Sequence, residues 1–330
     1  MAGPPFRQFD RVPCLACKST RFAAIRGWND VSHIARCLDC GLEFVNPLPG
    51  EDYLRWLYQD ETRRDGEGNP YYLDYIQERK ERLTSYNKQF HSRLRLIERF
   101  NQRKGTLLDI GCGAGFFLQA ARARGWIPYG VDIVPEFVQF ARNELRLDNV
   151  RCGSLPEINF PQESFDAVTL WDLIEHLRNP LDWLKEVNRI LRPGGQVVIW
   201  TPNVKNAVYT KERWYGYGIN QHLYFFSSRT LGRLLTQSGF RKIFEQTTRA
   251  KKGFFPRPPP APYREKTKPV TAAGRIWRAG KRDLKNLLNP TTYLSPLLDK
   301  TGYGFNLLVI AAKTGAPPAE NGNPGYRMGH

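Results

Sequence analysis

Four of the six cysteines fall in two pairs, Cys14-Leu-Ala-Cys17 and Cys37-Leu-Asp-Cys40, with 19 residues between them. Two C-x-x-C turns at this spacing can place four thiolates at the corners of a tetrahedron, the arrangement a structural Zn²⁺ takes. A thioredoxin-like redox site would need one pair in a strand–helix–strand setting. A disulfide framework would go with a secretory leader, and the opening residues "MAGPPFRQFD" have no apolar leader core. With Cys14, Cys17, Cys37 and Cys40 filling all four positions, such an ion is structural rather than catalytic, and His33 reads as a surface residue.

The stretch "WDLIEHLRNP", residues 171–180, sets Asp172, Glu175 and His176 within five positions, directly after an apolar run. If the stretch is helical, each residue turns about 100°, and the three side chains share one face. That grouping suits a divalent metal or a general base. It also suits a plainer role, with Asp172 as N-cap and Glu175 completing an acid variant of the capping box. His222, in "NQHLYFF", is the rival base, and Trp214, Tyr215 and Tyr217 before it either line a pocket or pack a core.

A third group, "LLDIGCGAG", places Asp109, Gly111, Gly113 and Gly115 at a strand-to-helix turn. Glycines let backbone pass close to a ligand, and the acid before them can meet a cationic amino group. Asp132, followed by Ile133 in "YGVDI", closes the next strand, where a carboxylate can accept both hydroxyls of a ribose. The spacing is G-x-G-x-G, which argues against the G-x-G-x-x-G turn of a dinucleotide site.

These groups need a scaffold, and the chain between Gly105 and Arg249 supplies an alternation. "TLLDIG", "IPYGVDIV", "VRCG", "FDAVTLW", "GGQVVIWTPN" and "RKIFEQTT" read as strands, separated by helical segments that include "GFFLQAARARG", "PEFVQFARNEL", "LDWLKEVNRIL" and "SSRTLGRLLTQSG". A last strand, "FNLLVIAAK", completes the set. This rhythm predicts an α/β fold with a doubly wound, mostly parallel seven-stranded sheet. The expected division is a zinc ribbon over 1–48, a helical cap over 49–104, the core over 105–249, a basic insertion over 250–302, the last core strand over 303–314 and a disordered Pro/Gly-rich tail over 315–330. In the cap, Leu83, Tyr86, Phe90, Leu94, Ile97 and Phe100 recur at spacings of three and four.

The 330 residues are 41 % hydrophobic and include eight Trp, the make-up of a folded chain able to bury a sizeable core. Its longest apolar run, Leu307 to Ala312, is too short to span a bilayer, so a cytoplasmic enzyme is the expectation. The net charge of +17 lies wholly in two windows, Glu78 to Lys104 and Arg241 to Lys285. The second contains "GRIWRAGKRDLKNLLNP", which reads as a basic amphipathic helix over 274–289. Such segments suit an anionic membrane surface, RNA or phosphate-bearing substrates.

The motifs "LLDIGCGAGFFL", "GVDI", "ESFDAVTLWDLIEHLRNP", "LRPGGQVVIWTPN" and "QHLYFFSSRTLGRLLTQSGF" resemble the class I S-adenosylmethionine-dependent methyltransferases over roughly Arg103 to Lys313. The resemblance implies that Asp109, Gly111, Gly113 and Gly115 hold the methionine part of the cofactor and that Asp132 with Ile133 meets the ribose. It further implies that Ser154 and Leu155 flank the adenine, although many members carry an acid where Ser154 stands, and that Trp171 lies by the cofactor. The closest likeness is to the branch of ubiquinone-biosynthesis O-methyltransferases, in which an acid, acid, His set matching Asp172, Glu175 and His176 is associated with a divalent cation; here the first acid is the shorter Asp. Members with an N-terminal four-cysteine module include sugar methyltransferases. The expected activity is therefore O-methylation of a small molecule, a sugar, lipid-linked intermediate or natural product, with 274–289 docking the enzyme peripherally on an anionic membrane. The alternatives are an RNA methyltransferase, whose zinc module and basic windows would track phosphates, and a non-catalytic scaffold.

Overall fold

The computed structural model describes residues 8–29, 31–54, 71–101, 104–210, 214–218, 221–248 and 299–315. The expected amphipathic helix over 274–289 lies outside the described residues, as does the tail from 316. Among the described residues no helix is long and apolar enough to cross a membrane.

The chain opens with β1 (Phe9–Asp10), β2 (Phe22–Gly27), β3 (His33–Cys37), β4 (Glu43–Asn46) and β5 (Leu48–Pro49). β2, β3 and β4 form an antiparallel meander, and β1 pairs with β5. The two C-x-x-C turns share one construction. The Lys18 N–H donates to the Cys14 carbonyl at 2.7 Å and the Gly41 N–H to the Cys37 carbonyl at 2.9 Å. Lys18 and Gly41 both take a left-handed backbone, φ 62° and 82°, which turns each loop back over its own cysteines.

The cap contributes α1 (Tyr71–Glu81) and α2 (Leu83–Phe100). Phe90, Leu94 and Ile97 of α2 are buried, as their spacing predicts. The core follows with β6 (Thr106–Ile110), α3 (Phe116–Ala123), β7 (Ile127–Asp132), α4 (Pro135–Asn143), β8 (Val150–Cys152), α5 (Leu155–Ile158), β9 (Phe165–Trp171), α6 (Pro180–Ile190), β10 (Leu191–Pro202) and α7 (Ala207–Thr210). It closes with β11 (Tyr224–Phe225), α8 (Ser228–Gln237), β12 (Phe240–Thr248) and β13 (Asn306–Lys313).

Seven of these strands form one sheet in the order β8-β7-β6-β9-β10-β13-β12, with β13 antiparallel to both neighbours and the other pairs parallel. The strands are apolar because both faces are covered. Leu108 and Ile110 pack with Leu184 and Val187 of α6, whereas Leu107 packs on the opposite face with Phe117 and Leu118 of α3. Pro135 and Pro180 begin their helices, where a missing N–H costs nothing. Ser227 caps α8 by accepting from the Thr230 N–H, as the sequence predicts. Strand order reverses at β6, between β7 and β9, and the crevice beyond the carboxyl ends of these strands is where open α/β sheets bind ligands.

One strand is not legible from local pattern. β11 leaves the core and becomes the fourth strand of the N-terminal meander, Tyr224 opposite Phe44 and Phe225 opposite Glu43. The apolar cores merge accordingly, with Ile34, Leu42 and Phe44 in the same buried cluster as Leu223, Phe226 and Leu234.

Candidate active site

The glycine turn leaves β6 and enters α3 beneath the cap. Gly113 has φ 52°, and a Cβ placed on it would stand 2.6 Å from the Tyr75 hydroxyl of α1, so a side chain is excluded by both conformation and space. Asp109, at the end of β6, is buried and accepts from the Thr169 hydroxyl at 2.6 Å. Burial raises its pKa to about 7, opposed by that hydrogen bond and by Arg93. Asp132 accepts from the backbone N–H of Gly113 at 2.7 Å and of Val134 at 3.0 Å, so it ties the second strand to the glycine turn and bends the chain at Ile133. Ser154 starts α5 in a capping box, its N–H donating to Glu157 at 2.7 Å, while Leu155 is wholly buried.

Trp171, at the end of β9, meets the Phe117 ring edge to face at 5.2 Å. The Arg93 guanidinium lies over Trp171 at 4.3 Å and over Trp200 at 4.7 Å. Burial pulls its pKa down while the charges of Asp172 and Asp109 oppose the shift, so Arg93 is the cation between the two acids at this end of the sheet. Sequence reasoning missed it. On α2 it is one of several basic residues, and only its place beside the Phe90–Leu94–Ile97 stripe hints that it points inward.

The 171–180 stretch is not the helix its spacing suggests. Asp172 takes a left-handed backbone, φ 51°, and its N–H donates to the Trp200 carbonyl at 2.9 Å. A single 3₁₀ turn, Ile174–His176, follows, and α6 begins only at Pro180. Asp tolerates the left-handed region, and a proline disfavours helix in the residue before it, so the chain cannot be helical throughout. The N-cap position of the turn belongs to Leu173 with no side-chain cap, which corrects the capping-box expectation for Asp172 and Glu175. The three side chains also diverge. Asp172 is exposed; it faces Arg93 and Arg79 and accepts from Trp200.

Glu175 and His176 turn instead toward His222, and one ligand atom from each of the three lies within 4.8 Å of the others. Glu175 is 1 % exposed; Oε2 accepts from the Thr201 hydroxyl at 3.0 Å, and Oε1 has no hydrogen-bond partner. His222 Nε2 stands 4.0 Å from that Oε1, and His222 Nδ1 is 3.1 Å from the Gly216 carbonyl. A carbonyl only accepts, so Nδ1 carries the proton and Nε2 the lone pair. Burial lowers the pKa of His176 to about 4 and that of His222 well below its ordinary value, the latter helped by His176. Burial, then Asp172, raises Glu175. Both imidazoles are therefore neutral near pH 7.

The N-terminal meander holds this cluster in place. The Val45 N–H of β4 donates to the Leu223 carbonyl at 2.8 Å, and the Leu223 N–H donates to the Glu175 carbonyl at 2.8 Å. Of the aromatic residues before His222, Trp214 and Tyr217 are core, with the Tyr217 hydroxyl donating to Glu43 of β4. Tyr215 differs: its hydroxyl donates to Asn306 at 2.7 Å, and burial, then the charges of Asp172 and Glu175, raise its pKa, so it borders the cluster. In the meander itself, the sulfurs of Cys14, Cys17, Cys37 and Cys40 also lie within 4.8 Å of one another. Cys14 and Cys40 are 3.4 Å apart and Cys17 and Cys37 3.5 Å, the grouping of a four-thiolate metal site without His33.

The family model described as "Methyltransferase domain" matches residues 77–244, half of the chain. The chain belongs to the methyltransferase domain family. Its seven-stranded sheet is the class I methyltransferase fold. Similar curated proteins include the ubiquinone biosynthesis O-methyltransferase of Coxiella burnetii, 30 % identical over 125 residues that cover 36 % of this chain and 53 % of that protein. The protein of the same name from Xanthomonas campestris pv. campestris is 32 % identical over 109 residues, 31 % of this chain and 45 % of that one. The chain thus spans about half the length of the curated relatives it matches. Among solved structures, a SAM-dependent methyltransferase from Archaeoglobus fulgidus aligns with 69 % of this chain and 94 % of its own at 20 % identity and TM-score 0.47. A Thermotoga maritima SAM-dependent methyltransferase, possibly a histamine N-methyltransferase, aligns with 73 % and 97 % at 19 % identity and the same TM-score. In this methyltransferase domain the glycine turn and the Glu175–His176–His222 cluster lie at the same edge of the sheet, at the ends of β6 and β9.

Proposed function

We propose that this methyltransferase moves the methyl group of S-adenosylmethionine to a hydroxyl of a small molecule, a sugar, lipid-linked intermediate or natural product. The observation that carries the reading is the cluster of buried Glu175 and His222 with half-buried His176, whose neutral imidazoles face one another at the end of β9. Methyl transfer from a sulfonium needs an oriented acceptor in a dry pocket, and a hydroxyl must also lose its proton. The cluster supplies basic lone pairs. S-Adenosylmethionine, when bound, supplies the electrophilic methyl group. The residues fit it: Asp109 would offer a buried carboxylate to its amino group, Asp132 a half-buried one to the ribose hydroxyls, and Gly113 bare backbone at a turn where the Tyr75 hydroxyl leaves no room for a Cβ. Ser154 and Leu155 would flank the adenine, and Trp171, whose buried indole N–H has no partner, borders the same crevice. The four cysteines would hold a structural Zn²⁺, their sulfur-only donor set suiting that ion.

Asp109 gives the reading a pH signature. Its carboxyl titrates at about 7 in the ligand-free fold, so it is mostly protonated below neutrality. A cationic amino group binds the ionised form. Affinity for S-adenosylmethionine is therefore expected to rise with pH up to about 7, by at most about tenfold per unit, and then to level off. Calorimetric titration across that range checks this, and a flat profile would contradict the role given to Asp109. For stability the sign reverses. A pKa raised above the unfolded value of 3.8 makes this group's contribution fully present below that value, and it is lost as pH rises through about 7.

The reaction class is tested by supplying label-bearing S-adenosylmethionine with the enzyme to a cell extract and separating lipid, polar, protein and RNA fractions. Label in the lipid or polar fraction is expected. Label confined to RNA would replace the small-molecule reading with the RNA one.

A further inference from the structure

The acid, acid, His set of the ubiquinone-type branch would place Asp172 among the ligands of a divalent cation, and the structure does not bring Asp172 to that place. We infer that the cation site of this chain is instead built from Glu175, His176 and His222, and that it selects a first-row divalent transition ion over Mg²⁺. The inference rests on the reading of this cluster as the acceptor end of a methyltransferase site.

Three features of the side chains carry it. First, Glu175 Oε1 is buried without a partner, 4.0 Å from the unprotonated His222 Nε2. A buried carboxyl oxygen left unpaired is destabilising unless something occupies its lone pairs, and the nitrogen it faces also offers a lone pair. At 4.0 Å the two atoms are too far apart to share a proton directly, and the space between their lone pairs suits a cation. Second, both imidazoles are oriented by the backbone, His222 through Nδ1 by the Gly216 carbonyl at 3.1 Å and His176 by Gln221. Metal-ligating histidines are held in this way, since the outer hydrogen bond fixes the tautomer that aims a lone pair inward. Thr201 orients Glu175 similarly through Oε2. Third, the distances suit a single ion. Ligand atoms about 2.0–2.2 Å from one metal stand roughly 3–4 Å apart, and the three atoms here lie within 4.8 Å, so modest side-chain closure completes the set.

Asp172 is excluded for a stated reason. Its left-handed backbone turns the side chain toward Arg93, Arg79 and Trp200, where its charge is already met. Exchanging that carboxylate for His222 changes the donor set from oxygen-rich to two nitrogens and one oxygen. Imidazole favours Mn²⁺, Fe²⁺, Co²⁺ or Zn²⁺ over the strongly hydrated Mg²⁺. Such an ion would acidify a coordinated hydroxyl.

Mn²⁺ is the useful probe, because a four-thiolate site discriminates against it and stays silent. The full chain is titrated with Mn²⁺ and the free ion followed by electron paramagnetic resonance, with S-adenosylmethionine affinity and circular dichroism recorded alongside. One Mn²⁺ per chain is expected, resistant to a hundredfold excess of Mg²⁺. His222→Ala and, should that variant fold poorly, His176→Ala or Glu175→Gln should weaken Mn²⁺ by more than the about 10–100-fold that loss of an outer hydrogen bond typically costs. Asp172→Asn should change it by less than about threefold. No Mn²⁺ binding by a chain that binds S-adenosylmethionine and transfers methyl overturns the metal site and leaves the proposed function standing. Loss in Asp172→Asn with retention in His222→Ala also overturns it. A chain that does not bind S-adenosylmethionine at all removes the proposed function itself.

Discussion

His222→Ala is expected to lower kcat/KM for methyl transfer by about 10²–10⁴-fold, the range associated with loss of assisted proton removal, while S-adenosylmethionine affinity stays within about twofold. The split follows from position. His222 sits with Glu175 and His176 beyond the end of β9, whereas the residues assigned to the cofactor, Trp171 apart, lie at the ends of β6, β7 and β8. The substitution removes the Nε2 lone pair and leaves Glu175 Oε1 facing a void, so some stability is lost as well. The useful comparison is Asn or Gln at the same position, which preserves more of the packing. If His222→Ala retains full transfer into the labelled fraction, the cluster is structural and the acceptor must bind elsewhere. Loss of cofactor affinity in parallel with activity would instead mean that the variant has deformed the sheet edge as a whole.

If the four thiolates of the N-terminal module hold the proposed Zn²⁺, breaking that set should have an effect just as large at a distance. Cys37→Ser, or prolonged treatment with a strong chelator, is expected to reduce methyl transfer to near background while leaving cofactor affinity within about threefold. Structural zinc sites contribute on the order of 10 kcal/mol to the fold of a small module, more than the meander's short strands can replace. Cys37 ends β3, and β4, which pairs with β3, also pairs with β11 immediately after His222. Two hydrogen bonds, Val45 to Leu223 and Leu223 to Glu175, continue this path to the cluster. Once the meander unfolds, His222 and Glu175 lose the strand that aligns them. The glycine turn, Asp109 and Asp132 have no such dependence, since they are held by β6, β7 and the Thr169 hydroxyl. Hydrogen exchange at Leu223, slow in the metal-loaded protein and fast in the variant, would report the break directly. Undiminished methyl transfer by a chain whose meander is unfolded would contradict this coupling.

The fold was legible to the extent that its signals are local. Strands buried on both faces read as apolar runs, helices as stripes at three and four, and the order of the two alone implied the sheet that forms. The glycine turn and the cysteine knuckles were equally plain, because each needs only neighbours in the chain to close. What failed at 171–180 is instructive. Spacing alone matched one face of a helix, but the carbonyl of Trp200 takes the Asp172 N–H and Pro180 delays the helix, and both facts concern backbone geometry that a spacing rule does not contain.

From the sequence by itself one could obtain the methyltransferase class, the sheet, the four thiols and the acids beside the glycine turn. Only the tertiary structure decided that Asp172 belongs with Arg93 and the two indoles, that His222 joins Glu175 and His176, and that Tyr224 and Phe225 tie this cluster to the cysteine module. The reason is the same in each case. These partners are separated by tens of residues, and whether two distant polar groups meet depends on how strands cross and loops return, to which the periodicity of either segment is blind.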